Sequence, residues 1–168
     1  MVNITYFADK KQRAEGRTED SKFPHNANPV VTFRGVVYPW HLDHMDHMNV
    51  QHYVGMFDQS SWVLLAMLGL DGHYFREHGH GMAALEQTIN YKSELRSGDM
   101  LEIRSSVLEV REKTMRIQHE MCQSKTGALA ASTNILAVYL DTEARKSAIL
   151  PEAIRERARQ MIGLQMHN

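Results

Sequence analysis

The chain has 168 residues, 43% of them apolar, which is enough for a single domain with its own hydrophobic core. Its 19 basic and 20 acidic residues give a net charge of -1, which argues against nucleic acid or an anionic membrane as a partner. Cys122 is the only cysteine, so an intrachain disulfide is excluded and a reducing, cytoplasmic setting is favoured. No apolar run reaches the roughly 18 residues of a membrane span, and we expect no membrane partner.

Residues 1–29 are polar, contain two prolines, and carry no secretory or transit signal, so we expect a flexible N-terminal arm. A folded domain is predicted over residues 30–150. Pro151 favours the start of a charged C-terminal helix, which we assign to residues 151–168.

The domain begins with a predicted strand over residues 30–38, which is rich in β-branched and aromatic residues. After a polar loop, apolar side chains recur at helical spacing from Val50 to Leu68, and Gly69 is a suitable stop. The second half of this segment is apolar on nearly every side, so we expect a buried helix.

Four predicted strands follow the long helix. Period-two alternation marks segments around residues 82–91, 101–107, 115–121 and 129–140. The last of these is apolar on both faces, which predicts a position inside the sheet with cover on each side. Strands that follow a helix in a row indicate an α+β fold with a mostly antiparallel sheet. The second face of the last strand then needs a cover, and we predict a second subunit.

The segment WHLDHMDHMNVQHY, residues 40–53, holds four histidines, two aspartates and one asparagine ahead of the long helix. One interpretation is purely structural, because Asn49 is a good N-cap for a helix that begins at Val50. A metal site is another, since imidazoles and carboxylates recur every three residues. Pro39 and the loop-like composition argue against the helical geometry that this spacing needs, and we predict no metal and no cofactor.

Nucleophilic serine chemistry has little support, because no G-x-S-x-G occurs and Ser60 and Ser61 lie well inside the predicted helix. Another interpretation combines Asp43 with the helix start. A backbone N–H near Val50 could polarise a carbonyl, and Asp43 could act on its carbon. Such a site is sufficient for a good leaving group, and a thiolate from a thiol with a pKa of about 8.5 is one.

The pattern D-x-x-x-H-x-N-x-x-x-Y, formed by Asp43, His47, Asn49 and Tyr53, lies between a strand and a long helix. With INYKSELRSGD, YLD and LPEAIRE further on, the sequence resembles the hotdog-fold acyl-CoA thioesterases of the 4-hydroxybenzoyl-CoA thioesterase type over about residues 33–151. The resemblance implies an antiparallel sheet wrapped around one long central helix. It also implies a homodimer or homotetramer whose substrate is a small acyl-CoA.

By the same resemblance, Asp43 is the catalytic nucleophile or general base, and the backbone N–H near Val50 polarises the thioester. His47 and Asn49 line the same pocket. The family often has glycine where this chain has Asp46; if this position has a positive φ, aspartate can adopt it at some cost.

The run MNVQHYVGMFDQ, with LDHM upstream, is also similar to thioesterases associated with carnitine breakdown, whose substrate is betainyl-CoA. Its trimethylammonium group would suit an aromatic wall built from Trp40, Trp62, Tyr38, Tyr53 and Tyr91, although Trp62 could equally be helix core. The CoA phosphates need local positive charge, for which Lys92 and Arg96 are the main candidates, with Arg111, Lys113 and Lys125 near other strand ends.

Two alternative functions remain open from the sequence. A hotdog dehydratase or hydratase would use His47 or His80 with Glu86. A non-catalytic acyl-CoA-binding protein would use the same pocket without Asp43 chemistry. The carboxylate at the Asp43 position favours hydrolysis.

Overall fold

A computed structural model describes residues 3–5 and 29–163 of the chain. The elements are, in chain order, β1 (Asn3–Thr5), β2 (Val30–Val36), a 3-10 turn (Pro39–His41), α1 (Val50–Leu68), α2 (Gly72–His78), β3 (His80–Tyr91), β4 (Met100–Val110), β5 (Thr114–Gln123), β6 (Leu129–Asp141), β7 (Lys146–Ser147) and α3 (Glu152–Gly163). Most of the segment predicted as an N-terminal arm lies outside the described residues.

The strands form one sheet in the order β1-β3-β6-β5-β4-β2, with β7 paired to β6. All pairings are antiparallel except that of β1 with β3. This confirms the α+β prediction, and β6 lies inside the sheet as expected. Both faces of β6 were predicted to be buried, and one of them is. Ile135, Ala137 and Tyr139 are buried, whereas Leu136 and Val138 on the other face are half-buried.

The central helix α1 has the predicted bounds because both ends are fixed by their own residues. Asn49 accepts a hydrogen bond from the backbone N–H of Gln51 at 3.0 Å, and Gly69 ends the helix with φ 91°, a left-handed conformation that glycine adopts without strain. Its buried side packs on the sheet through residues that include Tyr53, Phe57, Leu64 and Leu68.

The prediction that the second half of α1 is buried is only partly confirmed, because Leu64, Leu65 and Leu68 are buried but other side chains of this half are not. Trp62, Val63 and Met67 are 50%, 42% and 51% exposed. These side chains form an apolar surface on α1 that is exposed to solvent, so the helix has one face in the core and further apolar side chains outside it.

The helix α2 has no counterpart among the elements predicted from the sequence. Asp71 caps it by accepting from the backbone N–H of Tyr74 at 2.8 Å, and Gly79 ends it with φ 63°. The C-terminal helix α3 packs against the end of α1, where Arg157 donates to the carbonyl of Leu68 at 2.9 Å. Within the described part of the chain, no helix is both long and apolar enough to span a bilayer.

Candidate functional site

Residues 40–49, which we call the motif loop, form a narrow hairpin that leads directly into α1. Leu42 and Met48 pair as an antiparallel bridge, and on either side of it the N–H of Asp43 donates to the carbonyl of His47 at 3.0 Å and the N–H of Asn49 donates to the carbonyl of His41 at 2.9 Å. The pairing places Asp43 opposite His47. It also places Asp43 two pairing positions, roughly 7 Å along the hairpin, from the residue that caps α1.

The tip of the hairpin is a tight turn stabilised by Asp43. The N–H of Asp46 donates to the carbonyl of Asp43 at 3.1 Å, and the N–H of Met45 donates to its carboxylate at 2.8 Å. Asp46 follows with φ 62°, a left-handed conformation that glycine would adopt without strain and that aspartate adopts at some cost. A turn followed by a left-handed residue is a common way to close a short hairpin.

The carboxylate of Asp43 is positioned but accessible. One oxygen accepts from Met45, and the other lies 3.7 Å from Nδ1 of His47. The side chains of His47 and Asp43 retain 20% and 19% of their exposure, so a ligand can reach them. The structure therefore brings together two of the predicted catalytic residues.

The other two predicted catalytic residues form the start of α1. Asn49 uses its side-chain oxygen for the cap, and Val50 is the first helical residue, 42% exposed. Among the described residues, none accepts a hydrogen bond from the N–H of Val50. The N–H of Met48 donates to the carbonyl of Leu95 at 2.7 Å, which fixes the hairpin to the loop after β3. A fixed helix N-terminus with an unused N–H can bind a carbonyl oxygen or an anion.

The five aromatic residues predicted as one wall lie in separate places. Ring contacts join Tyr38 with Trp40 at 4.5 Å, Tyr53 with Tyr91 at 5.2 Å, and Trp62 with Phe75 at 6.0 Å. Trp40 is 70% exposed on the motif loop. Tyr53 is core, and burial raises the pKa of its hydroxyl to about 12. Trp62 lines the cavity between α1 and the sheet that is described below.

Two other histidines of the motif, His41 and His52, contact each other, and His41 also contacts backbone. The rings of His41 and His52 lie 4.5 Å apart, and Nδ1 of His41 accepts from the N–H of Tyr38 at 3.2 Å. Burial, and then the neighbouring His52, lower the pKa of His41. No group of three or more His, Cys, Asp or Glu side chains in the described ranges is arranged to hold a metal.

The two main candidates for binding the CoA phosphates lie near Leu95, the residue that anchors the motif loop. Lys92 and Arg96 are exposed in the loop that contains Leu95. Arg96 forms an ion pair with Glu94 at 3.2 Å. For the dehydratase alternative, no hydrogen bond or ion pair within the described residues joins Glu86 to His47 or His80.

A cavity of about 340 Å³ lies between α1 and the β3 side of the sheet. Its walls are mostly apolar, and its polar side chains are Asp58, Ser61, His80 and Gln87. No sequence pattern predicted this cavity, because its lining comes from α1, α2 and three strands that are distant in the chain.

A buried chain of polar side chains leads from this cavity into the core, and sequence reasoning also missed it. Nε2 of His119 lies 2.9 Å from the hydroxyl of Ser61, and its Nδ1 lies 2.5 Å from that of Ser105, which contacts Thr32 at 2.5 Å. Because Ser61 donates to the carbonyl of Phe57 at 3.0 Å, its oxygen is left to accept from His119. Burial lowers the pKa of His119 to about 4, so the imidazole is neutral at pH 7.

Comparison with known proteins identifies relatives of the whole folded region. Residues 37–158 match the model of the thioesterase-like superfamily. The betainyl-CoA thioesterase of Pseudomonas aeruginosa is 24% identical over 119 residues, which cover 71% of this chain and 75% of that protein.

Two further matches differ in coverage. The L-carnitine dehydrogenase/betainyl-CoA thioesterase of Agrobacterium fabrum is 26% identical over 113 residues, 67% of this chain, but the match spans only 23% of that longer protein. A hypothetical protein of Staphylococcus aureus, solved in complex with CoA, superimposes with a TM-score of 0.76 at 18% identity, covering 83% of this chain and 89% of that one. This likeness shows the fold.

Proposed function

Since this chain belongs to the thioesterase-like superfamily, we propose that it hydrolyses a small acyl-CoA to the free acid and CoA, with Asp43 as the catalytic carboxylate. One observation carries the proposal: the hairpin that holds Asp43 opposite His47 ends at Val50, whose N–H has no acceptor among the described residues. A carboxylate and a free helix N-terminus are thereby fixed on one short, anchored segment.

The helix start supplies the polarising group. In the proposed complex, the thioester carbonyl accepts from the N–H of Val50, and the positive end of the α1 dipole stabilises negative charge on the oxygen as the carbon becomes tetrahedral. The CoA thiolate then leaves without protonation by a strong acid, because its conjugate thiol has a pKa of only about 8.5.

With the thioester held in this way, Asp43 can promote hydrolysis by either of two routes. As nucleophile, a carboxylate oxygen bonds to the carbonyl carbon, the carbon–sulfur bond breaks, and water then hydrolyses the mixed anhydride. As general base, Asp43 takes a proton from the water that attacks the same carbon. In both routes His47 positions the carboxylate from 3.7 Å, and Asn49 maintains the helix start through its cap.

The decisive experiment measures thiol release from a panel of acyl-CoAs. Asp43→Asn keeps the size and the turn-stabilising oxygen of the side chain but removes its charge, so we expect hydrolysis to be lost while the fold and oligomer persist. Asp46→Asn is the matched control, since Asp46 lies in the same hairpin and is exposed. It should retain activity. A fully active Asp43→Asn enzyme would contradict the mechanism.

CoA itself is proposed to bind beside the motif loop. The exposed side chains of Lys92 and Arg96 lie in the loop whose Leu95 anchors the hairpin, so they flank the route to the thioester site. Removing either positive charge should raise KM for acyl-CoA more than it lowers kcat, because phosphate contacts contribute to substrate and transition state alike.

A homodimer or homotetramer is proposed as the active form. The apolar surface of Trp62, Val63 and Met67 is exposed on α1, and Leu85 is 57% exposed on β3. Apolar patches of this kind mark interaction surfaces on soluble domains. The expected mass in solution is that of two or four subunits.

Betainyl-CoA is the acyl-CoA to assay first. Two relatives that match this chain are named for activity on it. Steady-state kinetics should show a preference for betainyl-CoA over aliphatic and aromatic acyl-CoAs. Equal activity on all three classes would remove this substrate from the proposal and leave thioester hydrolysis standing.

A further inference from the structure

The cavity beside α1 is next to the proposed thioester site. Val54, which lines it, lies one helical turn beyond Val50, and the lining then continues along α1 through Asp58, Ser61 and Trp62. A group held at the start of α1 can therefore extend its acyl part along the helix into this cavity.

Asp58 is an acidic residue in a cavity lining that is mostly apolar. Among the described residues it forms neither an ion pair nor a side-chain hydrogen bond, and it is exposed. Beside it lie Val54, Trp62 and Leu65 on the helix, and Ile135 across the cavity. An alkyl chain that filled this space would displace water from the carboxylate of Asp58 without replacing the lost hydrogen bonds, which is unfavourable. A positively charged group would offset that loss.

Trp62 provides a second group with the same preference. It lies four residues beyond Asp58, on the same side of α1, and its ring contacts Phe75 edge-on at 6.0 Å. An indole face attracts cations more strongly than other aromatic rings do, and an ammonium group gains most when the site also excludes water.

Among the described residues, no lysine or arginine lines the cavity beside Asp58 and Trp62. His80, the one imidazole in the lining, stacks on Tyr139 at 4.8 Å, and its Nδ1 contacts the carbonyl of His78 at 2.6 Å.

We propose that Asp58 is a specificity residue that, with Trp62, selects acyl groups bearing an ammonium cation; this rests on the proposed thioesterase function. Asp58 lies eight residues, or roughly 12 Å of helix rise, beyond Val50. An ammonium nitrogen four bonds from the carbonyl carbon extends about 5 Å towards it, further than one on the adjacent carbon. The selectivity is therefore greater for the longer acyl group.

The test compares each cationic thioester with its neutral isostere. The pairs are betainyl-CoA with 3,3-dimethylbutyryl-CoA, and 4-(trimethylammonio)butyryl-CoA with 5,5-dimethylhexanoyl-CoA. For the wild-type enzyme, we expect kcat/KM to favour the cation by roughly tenfold or more in the longer pair. Asp58→Asn should remove most of this preference while hydrolysis of the neutral thioesters stays the same or rises, and Asp58→Glu should restore part of it.

Glu156→Gln is the matched control, because it removes one exposed carboxylate of α3 that does not line the cavity. It should keep the wild-type ratios. If Asp58→Asn keeps them too, the inference is overturned, and thioester hydrolysis stands as long as the neutral substrates react. If the wild-type enzyme hydrolyses other acyl-CoAs but none of these four, the inference is overturned and the proposed function stands; if it hydrolyses no acyl-CoA at all, the proposed function fails, and the inference fails with it.

Discussion

The imidazole of His119 lies 2.9 Å from the hydroxyl of Ser61, and this contact ties the middle of α1 to the middle of the sheet. It occurs between two apolar clusters, one around Phe57 and Ile103 and the other around Leu64 and Val107. Both ring nitrogens of His119 contact hydroxyl groups, so this buried polar side chain is satisfied without charge.

The buried state of His119 predicts that stability falls in mild acid. Its pKa is lowered by burial from 6.5 to about 4, so between these values the unfolded chain binds a proton that the folded chain does not. Stability from this group is complete above pH 6.5 and is lost as pH falls towards 4, by about 3 kcal/mol in all. Urea unfolding at several pH values measures it.

The control for this prediction is His119→Gln, which does not titrate. The variant should be less stable than the wild type at pH 7.5, yet its stability should depend less on pH between 6.5 and 4. Parallel pH profiles for the two proteins would show that His119 is not the responsible group.

Neighbouring serines on α1 should differ in their contribution to stability. Ser61→Ala leaves the buried Nε2 of His119 without its partner, which should cost about 1–3 kcal/mol of unfolding free energy. Ser60 is buried too, but its hydroxyl donates only to the carbonyl of Met56 within the helix, at 2.9 Å. Ser60→Ala should therefore cost less than about 1 kcal/mol. Equal losses measured by urea unfolding would contradict the role given to His119.

Residue 46 should tolerate glycine and reject branched side chains. Because Asp46 has φ 62°, Asp46→Gly relieves backbone strain and should leave stability unchanged or raised by up to about 1 kcal/mol. Asp46→Val forces a β-branched residue into the same conformation and should cost more than about 1 kcal/mol. Thermal unfolding of both variants gives the comparison, and a stable Asp46→Val protein would indicate a different turn.

The bounds of α1 were predictable because the residues that set them act locally. Asn49 caps the helix by accepting from the N–H of Gln51, two residues later, and Gly69 ends it by its own backbone conformation. Local signals of this kind are visible in a sequence. The glycine that the family often has at residue 46 is a local signal of the same kind, since it allows the φ of 62° observed there.

The motif hairpin, α2 and the polar chain were not predictable, since each depends on interactions that leave no local pattern. Leu42 and Met48 form one isolated bridge, which is too short for period-two alternation to mark it. The helix α2 spans seven residues and none of its side chains is fully buried, so it shows little apolar periodicity. Ser105 and His119 alternate with the apolar residues of their strands and are buried as that pattern predicts, but period two gives no sign that they contact each other or that His119 contacts Ser61.

The exposed apolar side chains of α1 should lie at the interface between subunits. Val63 and Met67 lie four residues apart on one face of this helix, are 42% and 51% exposed, and do not line the cavity. If a second subunit covers them, Val63→Glu would place a charge in an apolar interface and should shift the protein to monomers, as light scattering coupled to size exclusion reports. Gln59→Glu adds the same charge at an exposed polar position one turn earlier and should leave the mass unchanged. A Val63→Glu protein that keeps the wild-type mass would show that this face is not the interface.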